Sequence, residues 1–272
     1  EDVANAISDH YLPIGMTSKV PKKPISYSIS IVDKLDSLVG FFIIGEKPTS
    51  SKDPFALRRA AIGLLRIIIE NNLIIKLRDL ISHSIRLFEE QGVKIKNSKA
   101  EIEIIDFLKE RMRNILKEKN IQTDIIEASI SSHVGDNYLD LYKKNILINR
   151  HINKDVGKNI VSSYKRASNI IENTEKIITG KPDAVLFRHD DEKALYEQIN
   201  EIRKAFTVKE DKKNYENLLI RMSDVKPFTD KFFENVKVND ENKDIKNNRL
   251  ELLKMFCNTF NNFIDFSKLE GL

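Results

Sequence analysis

Tryptophan is missing from this chain, cysteine occurs once, and only nine glycines and seven prolines punctuate its 272 residues. Sandwiches and barrels need frequent turns, so a chain this poor in glycine and proline does not read as all-β. The single cysteine, Cys257, rules out a disulfide framework within the chain and fits a reducing compartment, so a cytoplasmic location is expected. It lies in the apolar run Leu252–Phe260, which predicts a buried, inert thiol. No apolar run reaches the ~18 residues of a membrane span, so no membrane partner is expected. The chain opens on Glu1 and Asp2 with neither a methionine nor a signal-peptide pattern, and a piece of a longer polypeptide is expected. The phosphate loop ending in Gly-Lys-Ser/Thr is absent, and no Ser-His-Asp, Cys-His or paired-carboxylate arrangement stands out. No catalytic residue is expected.

What is present points to helices. Hydrophobic residues make up 41% of the chain and charged residues 32%, a surplus of charge that suits amphipathic helices with charged outer faces. Apolar residues recur at helical spacing in Ser28–Phe42, from Asp53 to about Asn72, and in Leu73–Glu90. Asp53 followed by Pro54 predicts an N-cap and then proline at the first helical position. Ser98 with Glu101 predicts a capping box ahead of a helix that turns Ile102, Ile105, Leu108, Met112 and Ile115 to one side. Helices are further predicted near Thr123–Ser132, Asn137–Asn149, Asp155–Asn173, Asp190–Phe206, Asp211–Met222 and Asp244–Ser267. The strongest break falls near Glu90–Asn97, which divides the chain into residues 1–92 and 93–272. Phe232, Phe233, Phe256, Phe260, Phe263 and Phe266 read as packing residues of the last helices.

The net charge of +4 is only weakly basic, but it is unevenly placed. Between Asp140 and Ile170 stand seven Lys or Arg (Lys143, Lys144, Arg150, Lys154, Lys158, Lys165, Arg166) and only two Asp. On the helix from Asp155, Lys158, Ser162 and Lys165 share a face. Such a face can neutralise RNA phosphates, and arginine can stack on splayed bases; a merely solvated charged face is the bland alternative. Tyr138, Tyr142, Phe187, Phe206 and Phe228 are candidates for base stacking, although aromatics at helical spacing usually pack a core. The segment Thr49–Arg59 offers Lys52, Arg58 and Arg59 near a helix start that can bind phosphate, unless Asp53 already occupies the free N–H groups. His10, Asp33 and Asp36 invite a metal reading, but no His-Asp doublet precedes Asp33; His189-Asp190 lies far downstream. No metal site is expected.

Two stretches carry a family resemblance. One runs Asp33-Lys34-Leu35-Asp36-Ser37-Leu38-Val39-Gly40-Phe41-Phe42 and continues as Gly45-Glu46-Lys47-Pro48-Thr49-Ser50-Ser51-Lys52-Asp53-Pro54-Phe55-Ala56-Leu57-Arg58-Arg59. The other comprises Val225-Lys226-Pro227, Phe232-Phe233-Glu234-Asn235-Val236 and Asn248-Arg249-Leu250. They resemble the signature and the closing anticodon-binding segment of the glycyl-tRNA synthetase β subunit of bacteria. Tyr164-Lys165-Arg166-Ala167-Ser168-Asn169-Ile170 is a weaker match. Ser50 departs from the family's usual Gly, and Phe228 from a common second Pro. The resemblance implies an all-α chain: the C-terminal part of an HD-like helical domain over 1–92, then an anticodon-binding helical bundle of the arginyl-tRNA synthetase type over 93–272. It implies tRNA-Gly and the α subunit as partners in an α2β2 heterotetramer. ATP and Mg would be used by the whole enzyme, with no cofactor bound here. Arg150, Lys154, Lys158, Lys165, Arg166, Lys52, Arg58 and Arg59 become the candidate tRNA contacts. An HD-type phosphohydrolase and a helical protein-interaction scaffold are the competing expectations.

Overall fold

A computed structural model describes residues 1–49, 51–132, 137–174, 178–207 and 214–269. Among them the secondary structure is helical, with no strand: α1 (Asp2–Asp9), α2 (Pro24–Ile43), α3 (Leu57–Glu70), α4 (Leu77–Glu90), α5 (Ala100–Glu118), α6 (Thr123–Ser132), α7 (Tyr138–His151), α8 (Asp155–Glu172), α9 (Asp190–Thr207), α10 (Tyr215–Ser223), α11 (Lys226–Asn235) and α12 (Lys243–Asn261). Short 3-10 turns stand at Ala184–Leu186 and Phe266–Lys268. None of these helices is long and apolar enough to cross a membrane.

The chain forms two compact units: Glu1–Ile121 with Val134–Lys143, and Gln122–His133 with Lys144–Leu272. The expected division at 92/93 therefore falls inside the first unit. The reason is local. The connector after α4 is knitted onto the end of α2, where Lys96 N and Asn97 N donate to Ile43 O at 2.8 and 3.0 Å and the Asn97 amide donates to Phe42 O at 3.1 Å. α5 then packs on α2 and α3 and closes their core.

That first core is built from Leu38, Val39, Phe42 and Ile43 of α2, Leu57, Leu64, Leu65 and Ile68 of α3, and Ile104, Leu108 and Met112 of α5. Ile102, expected inside, is 59% exposed, while its neighbour Ile104 is buried. The Ser98–Glu101 capping box does not form. Lys99 holds the N-cap position without a side-chain cap. The Glu101 carboxylate instead accepts from Arg78 at 2.6 Å and Ser82 at 2.8 Å on α4. The competing tertiary partners won.

In the second unit α8 packs on α10, α11 and α12, and α9 packs on α10, α11 and α12. Ile160, Tyr164 and Ala167 of α8, Leu195 and Ile199 of α9, and Leu252, Phe256 and Phe260 of α12 are all buried. Two predicted elements differ. The helix α11, unread in the sequence, is ten residues long with Pro227 in its first turn, and it buries Thr229 and Phe232. The last helix ends at Asn261, not Ser267. There the Asn261 side chain accepts from Phe266 N at 3.2 Å and donates to the Tyr164 hydroxyl at 3.1 Å, so Phe263 and Phe266 enter the core from a turn. The predicted start of the tenth helix, Asp211, lies outside the described residues; α10 begins at Tyr215.

Candidate nucleic-acid interface

The cationic stretch is organised by the corner between α7 and α8, within the second unit. Arg150 and His151 occupy the last turn of α7, where positive charge complements the helix dipole. Lys154 is the N-cap residue of α8, and Lys158 follows one turn later. Gly157 allows the corner to be this tight: a Cβ there would come within 2.4 Å of Ile152 Cα and 2.5 Å of His151 O. Lys154 and Lys158 are exposed, and neither makes an ion pair among the described residues. Arg150 is partly offset by Glu216 at 4.0 Å, which also lies 2.8 Å from His151 Nε2.

Along α8 the inner face is fixed by apolar packing and by polar ties to α10, α11 and α12. Asn159 donates to Ser223 Oγ at 3.3 Å, and Thr229 to Ser163 Oγ at 3.1 Å. Burial raises the Tyr164 phenol to about 12, so it stays a neutral hydrogen-bonding group. The outer face carries Lys158, Ser162, Arg166 and Asn169, all exposed, with Lys165 half-buried beside them. Arg166 has company on α11: its guanidinium carbon lies 4.4 Å from the centroid of the Phe233 ring, and one of its nitrogens lies 3.9 Å from Asp230. Asp230 in turn accepts from Lys226, with 2.6 Å to each carboxylate oxygen.

The other three candidates belong to the first unit. Pro54 and Phe55 form a turn instead of the first helical turn, and α3 starts at Leu57 after Ala56 in a left-handed conformation (φ 55°). The turn lets Phe55 stack on Phe41 with centroids 3.9 Å apart. Asp53 nevertheless caps α3 from upstream, its two oxygens accepting from Leu57 N at 2.9 Å and Arg58 N at 3.1 Å. Those donors are therefore taken. Arg58 donates to Thr49 O and so ties the loop to the helix. Lys52 and Arg59 are exposed. Ser50 lies outside the described residues.

Of the metal candidates, His10 Nδ1 sits 2.6 Å from Ile7 O, and Asp33 is 4.0 Å from the Lys34 amine. Lys34 itself is buried, donating to Ser30 Oγ at 2.9 Å and His10 O at 3.2 Å, and burial pushes its pKa down. His189 pairs with Asp191 at 3.1 Å. Among the described residues no three His, Cys, Asp or Glu converge as a metal site would require. Of the candidate stacking aromatics, Tyr138 is buried with its hydroxyl 3.3 Å from Ile105 O, and Phe187 is buried beside Tyr196. Tyr142, Phe206 and Phe228 are half-buried. Of the six phenylalanines expected to pack, Phe233 alone is not fully buried.

One polar cluster has no expression in sequence spacing. Glu192, fully buried, accepts from Arg188 N and His189 N at 2.7 Å each and from Arg249 Nε at 2.7 Å. Arg249 also reaches Lys237 O at 2.9 Å and Asp240 at 2.7 Å. Next to it, Asn248 accepts from Asp183 N at 2.6 Å and donates to Asp183 O at 3.0 Å. The motif Asn248-Arg249 is thus a clamp holding α12 to the segments before α9 and α12.

Residues 1–131 match the family model described as Glycyl-tRNA synthetase beta subunit, and residues 160–270 match the one described as DALR anticodon binding domain. Among curated proteins, the glycine–tRNA ligase beta subunit of Rickettsia canadensis is 40% identical over 269 residues, covering 99% of this chain and 39% of that protein. The same subunit of Rickettsia prowazekii is 39% identical over 270 residues, 99% of this chain and 38% of that protein. The subunit of Clostridioides difficile is 34% identical over 270 residues, 98% of this chain and 38% of that protein. The chain spans about two fifths of the length of these relatives.

Proposed function

The chain belongs to the glycyl-tRNA synthetase β-subunit family, and from that premise we propose that it recognises tRNA-Gly and positions it for glycylation by a separate α subunit. The second unit grips the anticodon region. Phosphate contacts from Arg150, Lys154, Lys158 and Lys165 orient the RNA, and contacts to unpaired bases supply identity. The first unit, the closing part of an HD-like domain, contributes Lys52 and Arg59 as secondary backbone contacts, with Arg58 committed to its own loop. ATP and Mg are handled where glycine is activated, in an α2β2 assembly in the cytoplasm, and no bond chemistry is assigned to this chain.

The observation that carries this reading is the pair Lys154 and Lys158, exposed and without a carboxylate partner among the described residues, just ahead of the anticodon-binding match. Uncompensated cations on a rigid helix end are what phosphate binding requires. The test is filter binding of tRNA-Gly to wild type and to Lys154→Ala/Lys158→Ala over a range of salt. Each phosphate that is no longer neutralised should reduce the slope of log affinity against log salt by about 0.7–0.9. Equal slopes would take this corner out of the interface. Wild-type binding with no preference for tRNA-Gly over other tRNAs would reduce the chain to a general RNA or protein scaffold.

A further inference from the structure

The pairing of Arg166 with Phe233 differs in kind from the lysines around it. A lysine ammonium on a flexible stem is a point charge, suited to a phosphate wherever one falls. Arg166 is planar and already placed. Its guanidinium carbon lies over the Phe233 ring, 4.4 Å from the centroid, and one of its nitrogens lies 3.9 Å from Asp230. Phe233 in turn packs edge-to-face with fully buried Phe232, centroids 5.2 Å apart and planes at 78°. Asp230 is likewise anchored by Lys226. The Arg166 side chain nevertheless remains 48% exposed. A cation already held over one ring, with a carboxylate nearby and about half its surface still exposed, has less conformational entropy to lose on stacking a second π-system. Its charge is also partly answered by Asp230, which makes it a poorer phosphate hook than Lys158.

We infer that Arg166, backed by Phe233, is a stacking platform for one unpaired purine of the bound RNA. This rests on the tRNA-binding reading above and adds to it a base-contacting residue on α8. A purine is favoured over a pyrimidine because its larger ring system covers more of the guanidinium plane.

The probe is an anticodon stem-loop RNA with a seven-nucleotide loop, carrying 2-aminopurine at one loop position at a time. Wild type should quench the fluorophore at one position. Arg166→Lys keeps the charge and removes the plane. It should abolish that quenching and weaken binding roughly 10-fold while leaving the salt slope unchanged. Phe233→Leu keeps the apolar volume and removes the ring, and should also diminish the quenching. Lys158→Ala should do the opposite, lowering the slope and keeping the quenching. Helical circular dichroism and melting curves of each variant separate a disabled platform from a disrupted fold. If Arg166→Lys retains both quenching and affinity, charge alone suffices and the platform is refuted. Wild type that binds tightly without quenching at any loop position also overturns it. Wild type that binds no RNA removes the tRNA reading beneath it, a distinguishable failure.

Discussion

At Arg249 one buried guanidinium answers three acceptors from two parts of the chain: Glu192 at the start of α9, and Lys237 O and Asp240 ahead of α12. Taking two charges out of water is costly, and the pair is tolerated because Glu192 also receives two backbone N–H groups. Removing one partner leaves the other buried and uncompensated. Arg249→Met is expected to cost about 3–5 kcal/mol, read as a shift in urea midpoint. A loss under about 1 kcal/mol would mean that water reaches Glu192 freely. Cys257 makes a second residue-scale prediction. Burial raises its thiol to about 12, from the usual 9.0. Above pH 9 the unfolded chain ionises this thiol and the native one does not. The unfolded state then binds fewer protons, and stability falls as pH rises, by up to about 1.4 kcal/mol per pH unit. Replacing Cys257 by Ala should flatten the fall between pH 9 and 12, measured against wild type by denaturant titration. The same burial should leave the native thiol unreactive to a disulfide reagent at pH 8. Rapid native labelling would show that the α12 core opens readily.

Two helix junctions depend on single residues. At α3 the sequence signal is half right: Asp53 is the cap, but it works from four and five residues away because the Pro54-Phe55 turn and the left-handed Ala56 come between. Asp53→Ala strips both N–H partners and should cost about 1–2 kcal/mol in a thermal or urea melt; an unchanged midpoint would show that water replaces the carboxylate. At the α7–α8 corner the constraint is steric. Gly157→Ala would press a methyl group into the backbone at His151 and Ile152, so the corner must open, at about 1–3 kcal/mol. If the proposed tRNA-binding role holds, the same change should weaken tRNA binding more than its loss of stability explains, since Arg150, Lys154 and Lys158 flank that corner. Melting and binding measured on one preparation test the two halves separately. Helix positions were legible wherever an apolar period ran for three turns or more. The missed α11 buries only Thr229 and Phe232, one of them polar, and has a proline in its first turn, so it presents no apolar period to read. The false capping box at Ser98 failed because Arg78 and Ser82, distant in sequence, claimed Glu101.

For the whole molecule, a net charge of +4 is too small to hold RNA by its overall field. Binding must depend on where cations stand without counter-charges. The tRNA-binding reading therefore predicts that Lys154→Ala and Lys158→Ala weaken binding far more than alanine at Lys226, whose charge Asp230 neutralises at 2.6 Å. Equal losses at all three positions in one salt series would mean that only total charge counts. The basic stretch itself was visible from residue spacing, and so was the face of α8 that carries Lys158 and Ser162. Sequence alone determined the all-helical class, the buried thiol and the family, because period, composition and local motifs are properties of neighbouring residues. Only the tertiary structure decided which cations stay unpaired, that α5 completes the first unit, and that Arg249 and Asn248 are clamps. Those outcomes depend on acceptors and apolar surfaces brought together from far along the chain, and no local pattern encodes a partner 57 residues away, as Glu192 is from Arg249.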